Sequence, residues 1–425
     1  MATHGASANV VHICWHDAGR FFGCYGVEQV RTLNVDRLAQ EGMKFTNYWA
    51  TSSVCSPSRA STMTGRYPQA NGCLGLAHRP QRYSIHRGEP HMSRLLRASG
   101  RHTALIGWQH EVTHDRVSSR LGFDEVHHND PMPPCDVVAP FAADWLRGRA
   151  GERRPFYLQL GFQEVHRPHT TGGVEPDAEH GVYVPPWLAD DEAARLQLAQ
   201  QQGMIRKADA HLGLVLDALR EAGLAENTLL VFTSDHGVHF PRAKATLYDP
   251  GLGIPLIVRW PAGGVTGGRC DALLSNVDFA PTLLEMLGLE IPAGTQGRSF
   301  ASAFEGDCPA REEVFALFIN HVRMVRTERH KLIWNVGPRR WTPVPAQVEG
   351  GGGPRLWPTW ELFDLREDPL EAENRITDPA LREVKQDLRG RLWNWMERLE
   401  DPALPVPEPS PYYRRATALY RRRRL

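Results

Sequence analysis

Leu229-Leu230-Val231-Phe232-Thr233, running into Ser234-Asp235-His236-Gly237, decides the fold. Five residues without a charge read as a short buried strand, and the chain then delivers polar side chains before turning at a glycine. Upstream, Ile205, Ala208, Leu212, Val215, Leu216 and Leu219 keep helical spacing, and Gly223 stands where a C′ stop belongs. Helix, buried strand and polar cluster together make an α/β unit, and open α/β sheets take their ligands at the carboxyl ends of strands. The amino-terminal run Val10-Val11-His12-Ile13-Cys14 repeats the pattern, ending in Trp15-His16-Asp17 and breaking at Gly19. Pro155 to Leu160 and Gly253 to Val258 read as further strands.

After Cys308 the texture changes. Arg323–Thr327 and Lys331–Trp334 read as a hairpin, a Gly/Pro-rich stretch including Gly350 to Gly353 follows, and Trp360–Asp364 reads as another strand. An amphipathic helix is expected from Leu381 to Leu399. The expected organisation is therefore a large α/β domain over 1–308, a smaller α+β domain over 309–401 with an antiparallel sheet and one helix, and an extended basic arm over 402–425.

Composition narrows the function. With 425 residues, 41% hydrophobic and 23% charged, the chain has the make-up of a globular protein with ample core. Lys+Arg and Asp+Glu both total 49, so no net field draws it to nucleic acid or to a membrane surface. No secretion signal is evident at the amino terminus and no apolar run of membrane-spanning length occurs, which makes the cytoplasm the expected location. Seven cysteines without CxxC spacing suggest neither a disulfide framework nor a zinc ribbon.

The segment richest in chemistry is Cys55-Ser56-Pro57-Ser58-Arg59-Ala60-Ser61-Thr62-Met63-Thr64-Gly65-Arg66. A helix is expected to begin near Pro57, since proline suits a first turn. A cysteine there sits in positive potential, and Arg59 adds a fixed cation, an environment suited to an anionic substrate. Cys-x-Pro-Ser-Arg with Thr-Gly-Arg resembles the sulfatase family. So do Thr32 to Ala39 with Gly42 to Phe45, Asn276 to Thr282, Gly297-Arg298-Ser299, and Glu361 to Leu365 with Asp368-Pro369. Ser56 to Ser61, Pro68-Gln69 with Asn71-Gly72, Gly75-Leu76 and the run Trp360 to Pro369 resemble the family's sulfamidase (N-sulfoglucosamine sulfohydrolase) branch.

This resemblance implies an alkaline-phosphatase-like domain with a mixed, mostly parallel sheet flanked by helices. It also implies that Cys55 becomes formylglycine (3-oxoalanine), whose hydrated aldehyde attacks sulfur, so a maturation enzyme is an expected partner. A divalent metal is expected on His16, Asp17, Asp235, His236 and the residue at 55. Calcium, the family's ion, stays the favoured one, and His16, standing where an acidic residue is usual, opens manganese or zinc as alternatives. Arg59, His110, Lys244 and His169 fall on the family's catalytic positions. Lys244-Ala245-Thr246-Leu247-Tyr248-Asp249 matches its lysine motif and makes Lys244 a sulfate clamp. Two loop histidines alone would read as polar surface; the resemblance assigns His169 to the sulfate and leaves His166 the weaker candidate. Trp108 stands where the family has a second lysine. Its loss of charge implies either a weaker hold on sulfate or compensation by Arg59, Lys244 and another base, Arg79 or Arg82.

His78, Arg79, Trp108 and His166 are the candidate substrate contacts. The expected substrate is a sulfate ester or sulfamate on a sugar or small aryl or alkyl group. Two alternatives stand beside it: phosphonate or phosphate ester hydrolysis on the same scaffold, and a sulfoglycan-binding protein without turnover. The basic arm makes a homo-oligomer conceivable.

Overall fold

The computed structural model describes residues 5–78, 80–129, 132–336 and 359–404. Nine strands form the main sheet: β1 (Asn9–Trp15), β2 (Met43–Trp49), β3 (His102–Gly107), β4 (Glu125–His127), β5 (Phe156–Gly161), β6 (Thr228–Ser234), β7 (Gly253–Arg259), β8 (Arg269–Cys270) and β9 (Leu274–Ser275). Their order is β4-β3-β5-β1-β6-β7-β2-β8, with β9 also pairing β2. From β4 to β6 all neighbours are parallel, whereas β7 runs antiparallel to both β6 and β2. Every residue of β1 and β6 is buried, which is why these strands read as unbroken apolar runs. Their register pairs Trp15 with Ser234, so the two polar clusters leave the sheet side by side.

Helices cover both faces. The expected Ile205–Leu219 helix is the second half of a helix spanning Glu192–Glu221. Its first half escapes the apolar period because glutamines take core positions there. Gln202 is buried, yet its amide donates to the carbonyls of Asp177 (2.9 Å) and Gly181 (3.1 Å) and its carbonyl accepts from Tyr183 N (2.9 Å). Asp191 caps this helix by accepting from Ala194 N at 2.8 Å.

A separate antiparallel sheet holds β10 (Val314–Phe318), β11 (Val322–Arg326), β12 (His330–Asn335) and β13 (Trp360–Asp364) in sequence order. The Arg382–Arg398 helix packs on it through Leu388, Leu392, Trp395 and Met396, with Trp395 parallel to Phe315 at 4.9 Å. This sheet meets the first beside the loop that leads into Cys55, where Leu317 N donates to Thr51 O at 2.9 Å. It also braces the Arg242–Asp249 segment. Lys331, fully buried, bonds Leu247 O (3.2 Å), Glu371 (2.6 Å) and Asp249, while Tyr248 OH donates to Glu361 (2.6 Å). Beyond Leu404 the arm expected over 402–425 lies outside the described residues, as do Gly350 to Gly353 and Arg79. Among the described residues no helix is long and apolar enough to cross a membrane.

Candidate active site

Four parallel strands empty onto one site. β1 is followed by His16 and Asp17, β6 by Asp235 and His236, β3 by Trp108 and His110, and β5 by the loop carrying His166. Asp17 adopts a left-handed backbone (φ 48°), held by its own N–H donating to Asp235 Oδ1 at 3.0 Å and by Ala18 N donating to Ser234 Oγ at 3.1 Å. That turn folds the Asp17 carboxylate back over the end of β6.

Facing these ends is the Cys55–Thr64 helix, buried along its whole length. It begins at Cys55 itself, so Pro57 lies within the first turn. Its N-cap, Val54, supplies no side-chain bond. The N–H groups of Cys55 and Ser56 are thus left without helical partners, and the dipole adds partial positive charge beside the thiol. Asn276 fixes the helix in place: its amide donates to Ser58 O, Ser58 Oγ and Thr62 Oγ1 at 2.9–3.0 Å, and its carbonyl accepts from Thr51 N at 2.9 Å. Ser58 Oγ donates to Asp235 O, locking helix to strand end.

Cys55 Sγ lies 3.3 Å from His236 Nε2 and 3.9 Å from Asp17 Oδ1. Asp17 also bonds Lys244 Nζ (2.6 Å) and meets His236 Nε2 (3.1 Å) and His239 Nδ1 (3.5 Å). Asp235 meets Arg59 Nε (2.9 Å) and His16 Nδ1 (3.0 Å). Burial opposes the charge on both carboxylates. Lys244, His166 and His236 together overcome it at Asp17, and His236, Arg59 and His16 at Asp235, so both sit well below the usual carboxylate range. Burial likewise opposes charge on His236, but Asp235 and Asp17 hold it up at about 10. Burial raises the Cys55 thiol; Lys244, His236 and the bond with His110 together outweigh this and carry it well below its ordinary value.

The donors of this cluster fit a divalent cation. Ligand atoms of His16, Asp17, Cys55 and Asp235 lie within 4.8 Å of one another, all four residues buried. His16 Nε2 is a buried nitrogen with no well-formed hydrogen bond, as a ligand awaiting a cation would be. His236 adds a further imidazole against Asp17 and Asp235.

The structure brings together Cys55, Arg59, Lys244, His16, Asp17, Asp235, His236, His110, Trp108 and His166. The ring of His166 meets His16 edge-on at 5.5 Å, whereas His169 packs on Phe240 at 5.9 Å with its Nε2 unpartnered. Of the loop's two histidines, His166 is therefore the one turned to His16. Burial lowers both, to about 4 for His166 and about 3 for His169. Trp108 lies 5.2 Å from His110 and 6.2 Å from His16, its buried Nε1 without an acceptor. His78 bonds His110 Nε2 through Nδ1 at 2.8 Å. Two residues of the site went unread in the sequence. His239 stands near Asp17, and Glu111 accepts the His110 N–H at 2.9 Å. Neither sits in a motif, and a lone loop residue carries no periodic signal.

A sulfatase family profile matches residues 8–289. Human N-sulphoglucosamine sulphohydrolase is 27% identical over 94% of this chain and 92% of its own length. An ulvan-active sulfatase of Formosa agariphila is 27% identical over 89% of this chain and 78% of its own. Among solved structures, a chain from Bacteroides fragilis described as sulfatase YidJ superimposes with a TM-score of 0.76 at 22% identity, covering 94% of this chain and 97% of that one. A second, solved with its substrate D-glucosamine-2-N,6-O-disulfate, gives 0.73 at 20% identity over 93% and 99%.

Proposed function

The chain belongs to the sulfatase family, whose members are sulfuric ester hydrolases, and we propose that it cleaves a sulfate ester or sulfamate on a small saccharide, using the residue at position 55 as nucleophile. One observation carries this: Cys55 opens a buried helix at the focus of two carboxylates, two imidazoles and two fixed cations. In this family the matured residue is formylglycine, whose hydrated aldehyde supplies an oxygen nucleophile. The sugar preference is drawn from the relatives, which include a sulphoglucosamine sulphohydrolase and ulvan-active sulfatases.

This chain's own residues supply the rest. Asp17, Asp235, His16 and His236 would hold a divalent cation, which polarises the nucleophile and offsets the charge of the sulfate. Calcium remains the favoured ion on the two carboxylates, and the imidazole nitrogens beside them open manganese or zinc as alternatives. Lys244 and Arg59 each spend only part of their donor capacity on Asp17 and Asp235, leaving N–H groups for sulfate oxygens. His110 interacts with the side chain at 55 and is the nearest base for its proton; burial keeps it neutral, at about 4. His169, on the family's position and with its Nε2 unpartnered, or His166 beside His16, would hydrogen-bond the leaving oxygen or nitrogen; burial keeps both neutral. Maturation by a formylglycine-generating enzyme and a cytoplasmic location belong to the same proposal.

The test is peptide mass spectrometry of the Cys55 segment with aldehyde trapping, together with kinetics on aryl sulfate, sulfamate and phosphonate esters. Aldehyde at position 55 with a preference for sulfate or sulfamate supports the reading. A phosphonate preference replaces it with the phosphonate ester hydrolase, and binding without turnover in matured protein replaces it with a sulfoglycan-binding role.

A further inference from the structure

Among the candidate substrate contacts, His78 is exposed yet makes a bond that a substrate contact does not need. Its Nδ1 lies 2.8 Å from His110 Nε2, with ring centroids 4.9 Å apart and planes only 7° apart. Stacked rings cannot bring two nitrogens to 2.8 Å. The numbers describe coplanar imidazoles joined edge to edge, the arrangement in which an N–H···N bond is most linear. His110 is buried, its backbone N–H is taken by Glu111, and its Nδ1 has no well-formed partner. The ring of His110 thus lies between two groups that bear on its tautomer, His78 against Nε2 and the side chain at position 55.

We propose that His78 is a positioning residue for His110. It accepts the Nε2–H of His110 on its own Nδ1, which leaves the His110 Nδ1 lone pair free to act as a base. The hydrogen of His78 then resides on Nε2. In the opposite arrangement His110 would present an N–H at Nδ1 and could not take a proton there. Holding a base in the correct tautomer is a known lever of second partners on imidazoles, of order 10–100-fold in activity.

The inference rests on the hydrolase reading, and the experiment separates the two. Wild type, His78→Ala, His78→Asn and His78→Gln are compared on whichever sulfate ester or sulfamate the wild type cleaves. The Asn carbonyl reaches the place of Nδ1 and keeps an acceptor for the His110 Nε2–H, whereas Gln extends past it. Expected is a kcat loss of roughly 10–100-fold in Ala and Gln, KM within about twofold, and recovery to within a few-fold in Asn. Imidazole nitrogen shifts of ¹⁵N-histidine-labelled, unmatured protein supply a readout independent of turnover. The His110 signal, identified by its absence in His110→Ala, should report Nε2–H in wild type and His78→Asn and lose that state in His78→Ala. A KM rise at constant kcat would make His78 a substrate contact and overturn the proposal. An unchanged tautomer in His78→Ala overturns it equally. Absence of any turnover by matured wild type sinks the hydrolase reading instead, with the nitrogen shifts still judging the tautomer.

Discussion

Replacing Lys331 by Met removes the keystone between the second sheet and the segment that carries Lys244. Lys331 is fully buried and joins Asp249, Glu371 and the carbonyl of Leu247. Asp249 keeps two bonds from Arg326, at 3.2 and 3.3 Å, and stays compensated. Glu371, wholly buried, keeps only the Asp249 N–H. Breaking a buried pair by deleting one partner costs about 3–5 kcal/mol, because an uncompensated charge remains. That is the expected loss for Lys331→Met at pH 8, read from the urea unfolding midpoint. Lys331→Met/Glu371→Gln removes the stranded charge and should recover roughly 2 kcal/mol of it. Burial already raises Glu371 to about 7. Its protonated form is thus favoured by folding, so its contribution is fully present below the ordinary carboxyl value of about 4.5 and lost as pH rises through 7. Without Lys331 that carboxyl rises further, so the deficit should be smaller at pH 5.5 than at pH 8. Activity should drop more than stability alone explains, since Arg242 (φ 61°) and Ala245 (φ 66°) hold left-handed conformations that the second sheet helps to maintain. A midpoint within about 1 kcal/mol of wild type, or a double variant no better than the single, would refute this account of the interface.

Three further outcomes are expected. Cys55→Ala should abolish turnover while shifting unfolding by no more than about 1 kcal/mol, since it deletes one buried atom of little core volume; residual activity on the preferred ester would exclude position 55 as nucleophile. Asp235→Asn should lower the metal retained after dialysis, measured by elemental mass spectrometry, because a carboxylate of the buried donor set becomes neutral. His91, buried at the cap of the Met92–Ala98 helix, is depressed by burial to about 3, below the ordinary 6.5. The unfolded chain therefore binds more protons in that window, and stability is lost as pH falls below 6.5, by up to about 1.4 kcal/mol per unit. His91→Asn keeps an acceptor for Ser93 N, and its stability curve between pH 6.5 and 4 should be measurably flatter.

How much of this was legible in advance follows from the range of each signal. Buried strands announce themselves locally, so Val10–Cys14 and Leu229–Thr233 revealed β1 and β6, and with them the placing of Asp17 and Asp235 at neighbouring carboxyl ends. The helix opened by Cys55 was readable for the same reason: proline, small residues and a closing glycine are short-range features. The first half of the Glu192–Glu221 helix was not, because Gln202 meets its partners in a loop some twenty residues away and breaks the apolar period. Histidines in loops are harder still, for their direction is set by whatever packs against the loop. Sequence offered His166 and His169 on equal terms and a motif ranked them; packing set one ring against His16 and the other against Phe240, both within electrostatic reach of Asp17. The bond from His78 to His110, and the hold of Lys331 on Asp249 and Glu371, join residues dozens of positions apart. Local periodicity thus determined which strands and helix carry the chemistry, and only tertiary packing decided which side chains face one another, since that depends on distances between segments that no local pattern encodes.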